Sequence, residues 1–246
     1  MDRERSATLL VLANPDDEAA RALVDRWSIH GAALLTPDDL SMQGWRHDTS
    51  TREDTLVVNG MPQRAGHLRG VLVRLPGVPE QELVRIHPGE RAYVAAEMTA
   101  FLLAWLSLLP CPVLNRPTPA CLTGPGWRSE QWLHTAAQVD IPIVPMRRST
   151  RQPGSYVPPP DGLLPHTRVS VVGEQCLGPA TPLMARYARR LSRAAGVELL
   201  DVHFAGPPEA PILAGASLWP RINEPLLADA MLAWFQQAGT RKEVRS

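Results

Sequence analysis

Lysine is nearly missing from this chain. Of its 25 basic residues, 24 are arginine and one is lysine, Lys242, in the closing stretch GTRKEVRS. On a solvated surface arginine replaces lysine almost freely, so the shortage says little about surfaces. It says much about sites: a mechanism that needs lysine at a buried phosphate or a carbonyl has only Lys242, in a polar tail of the kind that frays. An excess of charge of either sign is missing too. The basic residues are matched by 25 acidic ones, for a formal net charge of zero, so nothing draws the chain to nucleic acid or to an anionic membrane.

Cysteine is scarce. Cys111, Cys121 and Cys176 make no CxxC spacing and no even-numbered framework, and are expected to be buried free thiols in a reducing compartment. The seven histidines form no HxH or HExxH and no cluster with cysteine, which argues against zinc. The adjacent pair His47-Asp48 reads as part of a solvated loop. There is no GxSxG elbow and no phosphate loop of the Walker type. The most apolar stretch, AFLLAWLSLLP, is too short to cross a bilayer. MDRERSATLLVLANPDD has the character of a first β-strand and not of a signal peptide. A cytoplasmic protein is expected.

What is present is a hydrophobic fraction of 44%, ordinary for a globular protein, and 25 prolines, which stiffen many loops. Thr8 to Ala13 is an apolar run of the sort buried on both faces of a parallel sheet. Asn14-Pro15-Asp16-Asp17 predicts a helix start capped by Asn14, and Gly31 a helix end. AALL is a second strand, and Thr36-Pro37-Asp38-Asp39 caps a short helix. Thr55 to Val58 and Val71 to Leu75 are strands, with the turn signal Asn59-Gly60 between them. The longest helix runs from Glu90 to Leu109. Its stripe Val94, Met98, Phe101, Trp105 and Leu108 is expected to face the core.

PVLN (Pro112 to Asn115) is a short strand. Ser129 is expected to cap a helix, and IPIV (Ile141 to Val144) to be a strand. Met146 to His166 is proline-rich and aperiodic. After it come a hairpin around Gly173-Glu174, a helix from Pro182 to Ala195, strands from Leu199 to Phe204 and Pro211 to Leu218, and a closing helix from Asn223. The glycine-rich LTGPGWRSEQ ahead of a helix reads first as a loop and cap, with anion binding at its amides as the weaker reading.

Four stretches in this order resemble the ATP-grasp superfamily, particularly its peptide-ligase branch related to ribosomal-protein glutamate ligases and graspetide ligases. They are CPVLNRPTPAC, SEQWLHTAAQVDIPIVP, HTRVSVVGEQCLG and AGVELLDVHFAGPPEAPILAGASLWPRI. The resemblance implies an α/β chain: a pre-ATP-grasp-like α/β domain over 1–145, with the start of the grasp region. A proline-rich linker over 146–166 would replace the nucleotide-lid subdomain, and a reduced ATP-grasp C-terminal α+β lobe would cover 167–240. Residues that could hold a ligand are Asn115, Arg168 and His203 from the matched motifs. Arg74, on an inner strand, and Arg168 are each a carboxylate or phosphate binder or, at least equally, a salt-bridge partner.

The chain departs from that family where the chemistry sits. The lysine that opens the helix ending in Val-Pro falls at or near Glu130. Only 22 residues separate Pro145 from Arg168, too few for a four-stranded lid carrying a second lysine. The family's metal acids fall on His203, and on Gly215 to Ser217. No carboxylate occurs from Pro211 through Ile222, so a register error does not restore one. Phosphoryl transfer to a carboxylate needs metal and cations to neutralise charge, and magnesium takes hard oxygen ligands.

The expectation is therefore a non-catalytic homologue with no catalytic residues, no metal and no cofactor. It would act as an accessory or binding subunit for a protein or peptide partner, in a peptide-modification pathway, and oligomers are possible. The alternative is an unusual ATP-dependent peptide ligase using ATP and magnesium and completed by a partner chain. A third reading is a doubly wound sugar-nucleotide or small-molecule binder, which would show as a parallel sheet continuing through the C-terminal half.

Overall fold

The structure, a computed structural model, describes residues 8–47, 54–144 and 167–243, with side chains described as far as residue 238. The proline-rich stretch 146–166 lies outside the described residues, as does Asp48. In chain order the elements are β1 (Leu9–Leu12), α1 (Glu18–Arg26), β2 (Ala32–Leu35), α2 (Pro37–Leu40), β3 (Thr55–Val58), β4 (Met61–Arg64), β5 (Gly70–Val73), α3 (Arg91–Leu108) and β6 (Val113–Leu114). Then come α4 (Ser129–Gln138), β7 (Thr167–Val172), β8 (Gln175–Leu177), α5 (Pro182–Ala195), β9 (Leu199–Ala205), β10 (Ile212–Ser217) and α6 (Pro225–Glu243). They form two compact units, Met1–Gly126 with Arg221–Ser246, and Trp127–Pro220. The division falls at 126/127 and not at 145, because α4 packs with β10 and α5. The closing helix belongs to the first unit. No helix among the described residues is long and apolar enough to cross a membrane.

The first unit is built on a parallel sheet in the order β2-β1-β5-β6. All four residues of β1 and of β5 are buried, as an inner parallel strand covered on both faces requires. One face, with Leu10, Leu12, Leu35, Val71, Val73 and Val113, packs on α3. On the other face α6 places the Phe235 ring against Gly70 of β5. That ring meets Trp27 edge-on at 6.2 Å, and Arg26 pairs with Asp229 of α6 at 2.8 Å.

Local chemistry explains the starts and ends. Asp17, and not Asn14, caps α1: its carboxylate accepts the Ala20 N–H, while Asn14 and Pro15 lie in the turn before it. Gly31 takes the left-handed conformation that ends this segment (φ 72°). Thr36 and Asp39 bond reciprocally across the first turn of α2. Asn59 and Gly60 both have positive φ, the requirement of a two-residue hairpin between β3 and β4. In α3 the buried residues are Ala95, Leu102, Trp105 and Leu106, so of the expected stripe only Trp105 is buried. Val94, Met98 and Phe101 lie at the margin, and Leu108 is 61% exposed. This helix is Ala- and Leu-rich on every side, so periodicity does not single out the face that packs.

Arg116 holds the end of α3. Its guanidinium donates to the carbonyls of Leu106, Ser107, Leu109 and Cys111, at 3.1–3.3 Å. These include groups a helix C-terminus otherwise leaves without partners.

The second unit is an antiparallel sheet in the order β10-β9-β7-β8. It is therefore not the parallel continuation that a doubly wound binder would need. Val169, Val171, Leu200, Val202, Phe204 and Leu213 form its apolar face, against Trp132, Leu133 and Ala136 of α4 and Met184, Ala188 and Leu191 of α5. Thr181 caps α5 through the Met184 N–H, Pro182 opens it and Gly196 closes it at φ 65°. Arg128, and not Ser129, is the cap residue of α4, with Gln131 Oε1 accepting the Arg128 N–H. The expected strand at 141–144 is reduced to a parallel bridge, Ile143 to Leu213; Pro142 has no N–H to extend a ladder. None of the three cysteines forms a disulfide. Cys111 and Cys121 are buried, but Cys176 only partly. Burial pushes the Cys176 thiol up despite the neighbouring Arg189.

Two substitutions test this packing by urea denaturation. A Cβ at Gly70 would lie 2.3 Å from Phe235 Cδ1, so Gly70→Ala is expected to destabilise by about 2–3 kcal/mol, with part recovered in a Gly70→Ala, Phe235→Leu double variant. Arg116→Ala is expected to cost about 1–2 kcal/mol, with Arg116→Lys recovering less than half because a single ammonium cannot reach four carbonyls.

Candidate functional site

Alternation along β7, β9 and β10 sorts the second sheet into two faces. Opposite the apolar face lie Arg168 and Ser170 of β7, Asp201 and His203 of β9, and Gly215 and Ser217 of β10. The register pairs Arg168 with His203, Ser170 with Asp201, His203 with Gly215 and Asp201 with Ser217. An irregularity between Leu213 and Gly215 shifts the β10 register, so that Leu213 faces the core while Gly215 and Ser217 face the polar side.

Asp201 is the centre of this face and was not among the residues singled out from the sequence. It is 3% exposed, and Ser170 is 5% exposed. The Ser170 hydroxyl donates to Asp201 Oδ1 at 2.5 Å, and Arg168 Nη1 lies 3.8 Å from Oδ2. A buried carboxylate is tolerated only when paired and hydrogen-bonded; here two cross-strand neighbours supply both. The signal that could have found it is simple: Asp201 stands two residues before His203 in a strand, hence on the same face.

Magnesium does not fit this donor set. Asp201 is the only carboxylate at these six positions, and it is engaged by a serine and an arginine. His203 is a nitrogen donor, Gly215 has no side chain and Ser217 offers one neutral oxygen. Among the described residues no group of three or more His, Cys, Asp or Glu is placed to hold a metal ion. What the face can do is present a guanidinium and an imidazole side by side, the arrangement that accepts a carboxylate or another hydrogen-bonding group.

The other two residues singled out from the sequence, Arg74 and Asn115, lie in the first unit. Arg74 follows β5 at the carboxyl end of the parallel sheet, where its N–H donates to the Leu12 carbonyl. Its Nε donates to Asp17 Oδ2 at 2.7 Å, and both side chains are largely buried. Asp17 thus caps a helix with one oxygen and takes Arg74 with the other. Asn115 directly follows β6 and is 4% exposed. His47 pairs with Asp54, at 2.9 Å, and its ring meets Phe101 edge-on, so it is a packed residue and not part of a purely solvated loop.

No protein-family model matches the chain, and no curated protein matches it. Solved structures do resemble it. The macrocyclase MdnC from Microcystis aeruginosa MRC, bound with precursor peptide MdnA, aligns over 92% of this chain and 97% of its own, at 10% identity and a TM-score of 0.64. The ATP-grasp ligase PsnB, complexed with minimal precursor, Mg and ADP, aligns over 93% of this chain and 98% of its own, at 12% identity and 0.65. A RiPP-associated ATP-grasp ligase from Chryseobacterium gregarium, in complex with ADP and a leader and core peptide, aligns over 94% and 97%, at 7% identity and 0.64. The chain therefore has an α/β fold like that of these ATP-grasp ligases.

The pairing on the polar face is open to test. Asp201→Ala leaves the Ser170 hydroxyl and the Arg168 guanidinium without this carboxylate and is expected to destabilise by about 2–3 kcal/mol in chemical denaturation. Asp201→Asn keeps an acceptor for Ser170 and is expected to lose less. Equal, negligible losses in both variants would contradict the pairing.

Proposed function

We propose that this chain is a non-catalytic ATP-grasp homologue that binds a peptide or partner protein as the accessory subunit of a peptide-modifying enzyme. The observation that carries this reading is the register of β9 and β10. His203 stands opposite Gly215 and Ser217 opposite Asp201; Asp201, the one carboxylate among them, is bonded to Ser170. A nucleotide and its metal need several acids and cations at one place, and this face supplies one acid that is already matched.

Three further points support the reading. The neighbours in fold described above are a macrocyclase and two ATP-grasp ligases, and all three are complexed with a precursor or with a leader and core peptide. The sequence holds one lysine, Lys242, and the 22 residues between Pro145 and Arg168 are too few for the lid that the resemblance implies. Arg168 and His203, adjacent across β7 and β9, are the groups we assign to a ligand on this face, with a backbone or side-chain carboxylate of a peptide as the matching chemistry. The stretch 146–166 stands, in this reading, in place of the nucleotide lid. Arg74 and Asn115 are assigned to holding the first unit together.

Divalent manganese, followed by electron paramagnetic resonance, tests the register claim. The chain itself is expected to leave manganese free in solution. A triple variant, His203→Asp with Gly215→Glu and Ser217→Asn, returns acids and an amide to one face and is expected to bind the ion. Manganese bound equally by the original chain and the triple variant would contradict the proposal and favour a ligase completed by a partner.

A further inference from the structure

Helix α5, PLMARYARRLSRAA, contains four arginines and no acidic residue. Positions 186, 189, 190 and 193 are spaced by three and four and share one side of the helix. Met184, Ala188 and Leu191, on the opposite side, are buried in the core of the second unit. The stripe covers roughly 10 Å of helix. The described residues of the second unit hold six arginines and six acids, and α5 carries four of those arginines and none of the acids. Four of the six arginines described in the second unit thus lie on one helix face, with no acid of that helix among them.

We propose that the arginine stripe of α5 is a docking surface for an acidic segment of a partner protein. The present partners of these arginines leave it free to serve. Arg190 pairs with Asp140 at 2.8 Å and Arg193 with Glu174 at 2.5 Å, but these acids are 85% and 71% exposed. Such pairs are screened by water and salt, so a partner's carboxylates can replace them at little loss. Arg186 lies over the Tyr187 ring, 5.7 Å from its centroid, and Arg189 donates to Cys176 Sγ at 3.6 Å. Neither makes an ion pair among the described residues. Four guanidiniums within two turns repel one another, and carboxylates relieve that repulsion while accepting two hydrogen bonds each from a planar fork.

Acidic protein fits better than nucleic acid. Asp140 and Glu174 border the stripe and oppose a continuous phosphate backbone. Tyr187 is half-buried beneath Arg186 and offers no stacking platform. The surface is also separate from the polar face that carries Arg168 and His203, because α5 packs on the other side of the sheet. It therefore stands whether or not that face binds nucleotide.

The test is fluorescence anisotropy of a labelled hexaglutamate peptide with the full chain at low salt. The double variant Arg186→Glu, Arg190→Glu is expected to weaken binding by roughly tenfold or more, and raised salt to weaken it further. A control double variant, Arg64→Glu with Arg69→Glu, makes the same change in net charge at exposed positions of the first unit and is expected to bind like the original chain. The neutral pair Arg186→Gln, Arg190→Gln should fall between, and circular dichroism confirms that each variant is folded. Equal weakening in both charge reversals, no binding by the original chain, or tighter binding of a hexathymidylate than of the peptide would overturn the proposal.

Discussion

A carboxylate buried in a sheet must be matched, and Asp201 is matched from within its own sheet. Ser170 donates to it from the neighbouring strand, and Arg168 faces it one alternation away on the same strand. The match decides what the polar side of the second unit can do. A buried acid left unpaired would be a ready ligand for a cation. An acid held by a hydroxyl and a guanidinium is already satisfied, and drawing it to a metal would strand both donors. The antiparallel pairing of β7, β9 and β10 then places His203, Gly215 and Ser217 around it, none of which adds negative charge.

Arginine recurs wherever this chain needs a cation. Arg116 closes α3 by reaching four carbonyls, Arg74 binds the acid that caps α1, and Arg168 faces Asp201. The Arg116 role uses two donor nitrogens of one planar fork, a set that lysine does not have. The shortage of lysine is thus not a shortage of useful positive charge. The jobs of Arg116 and Arg74 are structural ones, and α5 adds a surface whose arginines are engaged only loosely.

Much of this was legible from residue patterns because local rules and tertiary packing agree there. The inner strands β1 and β5, the Thr36 cap, the Asn59-Gly60 turn and the bounds of α5 all follow from short-range chemistry. The misses share a cause as well. Where a helix is apolar on every side, as α3 is, no periodicity names the packed face. Where two polar residues could cap, as Asn14 and Asp17 could, the choice rests on Arg74, 57 positions away. The assignment of α4 and α6 to their units depends on contacts distant in sequence. On the candidate face, the strands that carry Arg168, His203, Gly215 and Ser217 follow from residue pattern, but their pairing does not, nor does the central place of Asp201. Its importance lies in a cross-strand serine that only the register reveals.

The central proposal is that the chain keeps an ATP-grasp-like fold while its described residues lack the groups for nucleotide and metal. Isothermal titration of the full chain with ATP and magnesium measures this most directly. The account predicts no saturable heat. A saturable isotherm in the micromolar range, lost in Arg168→Ala, would contradict it.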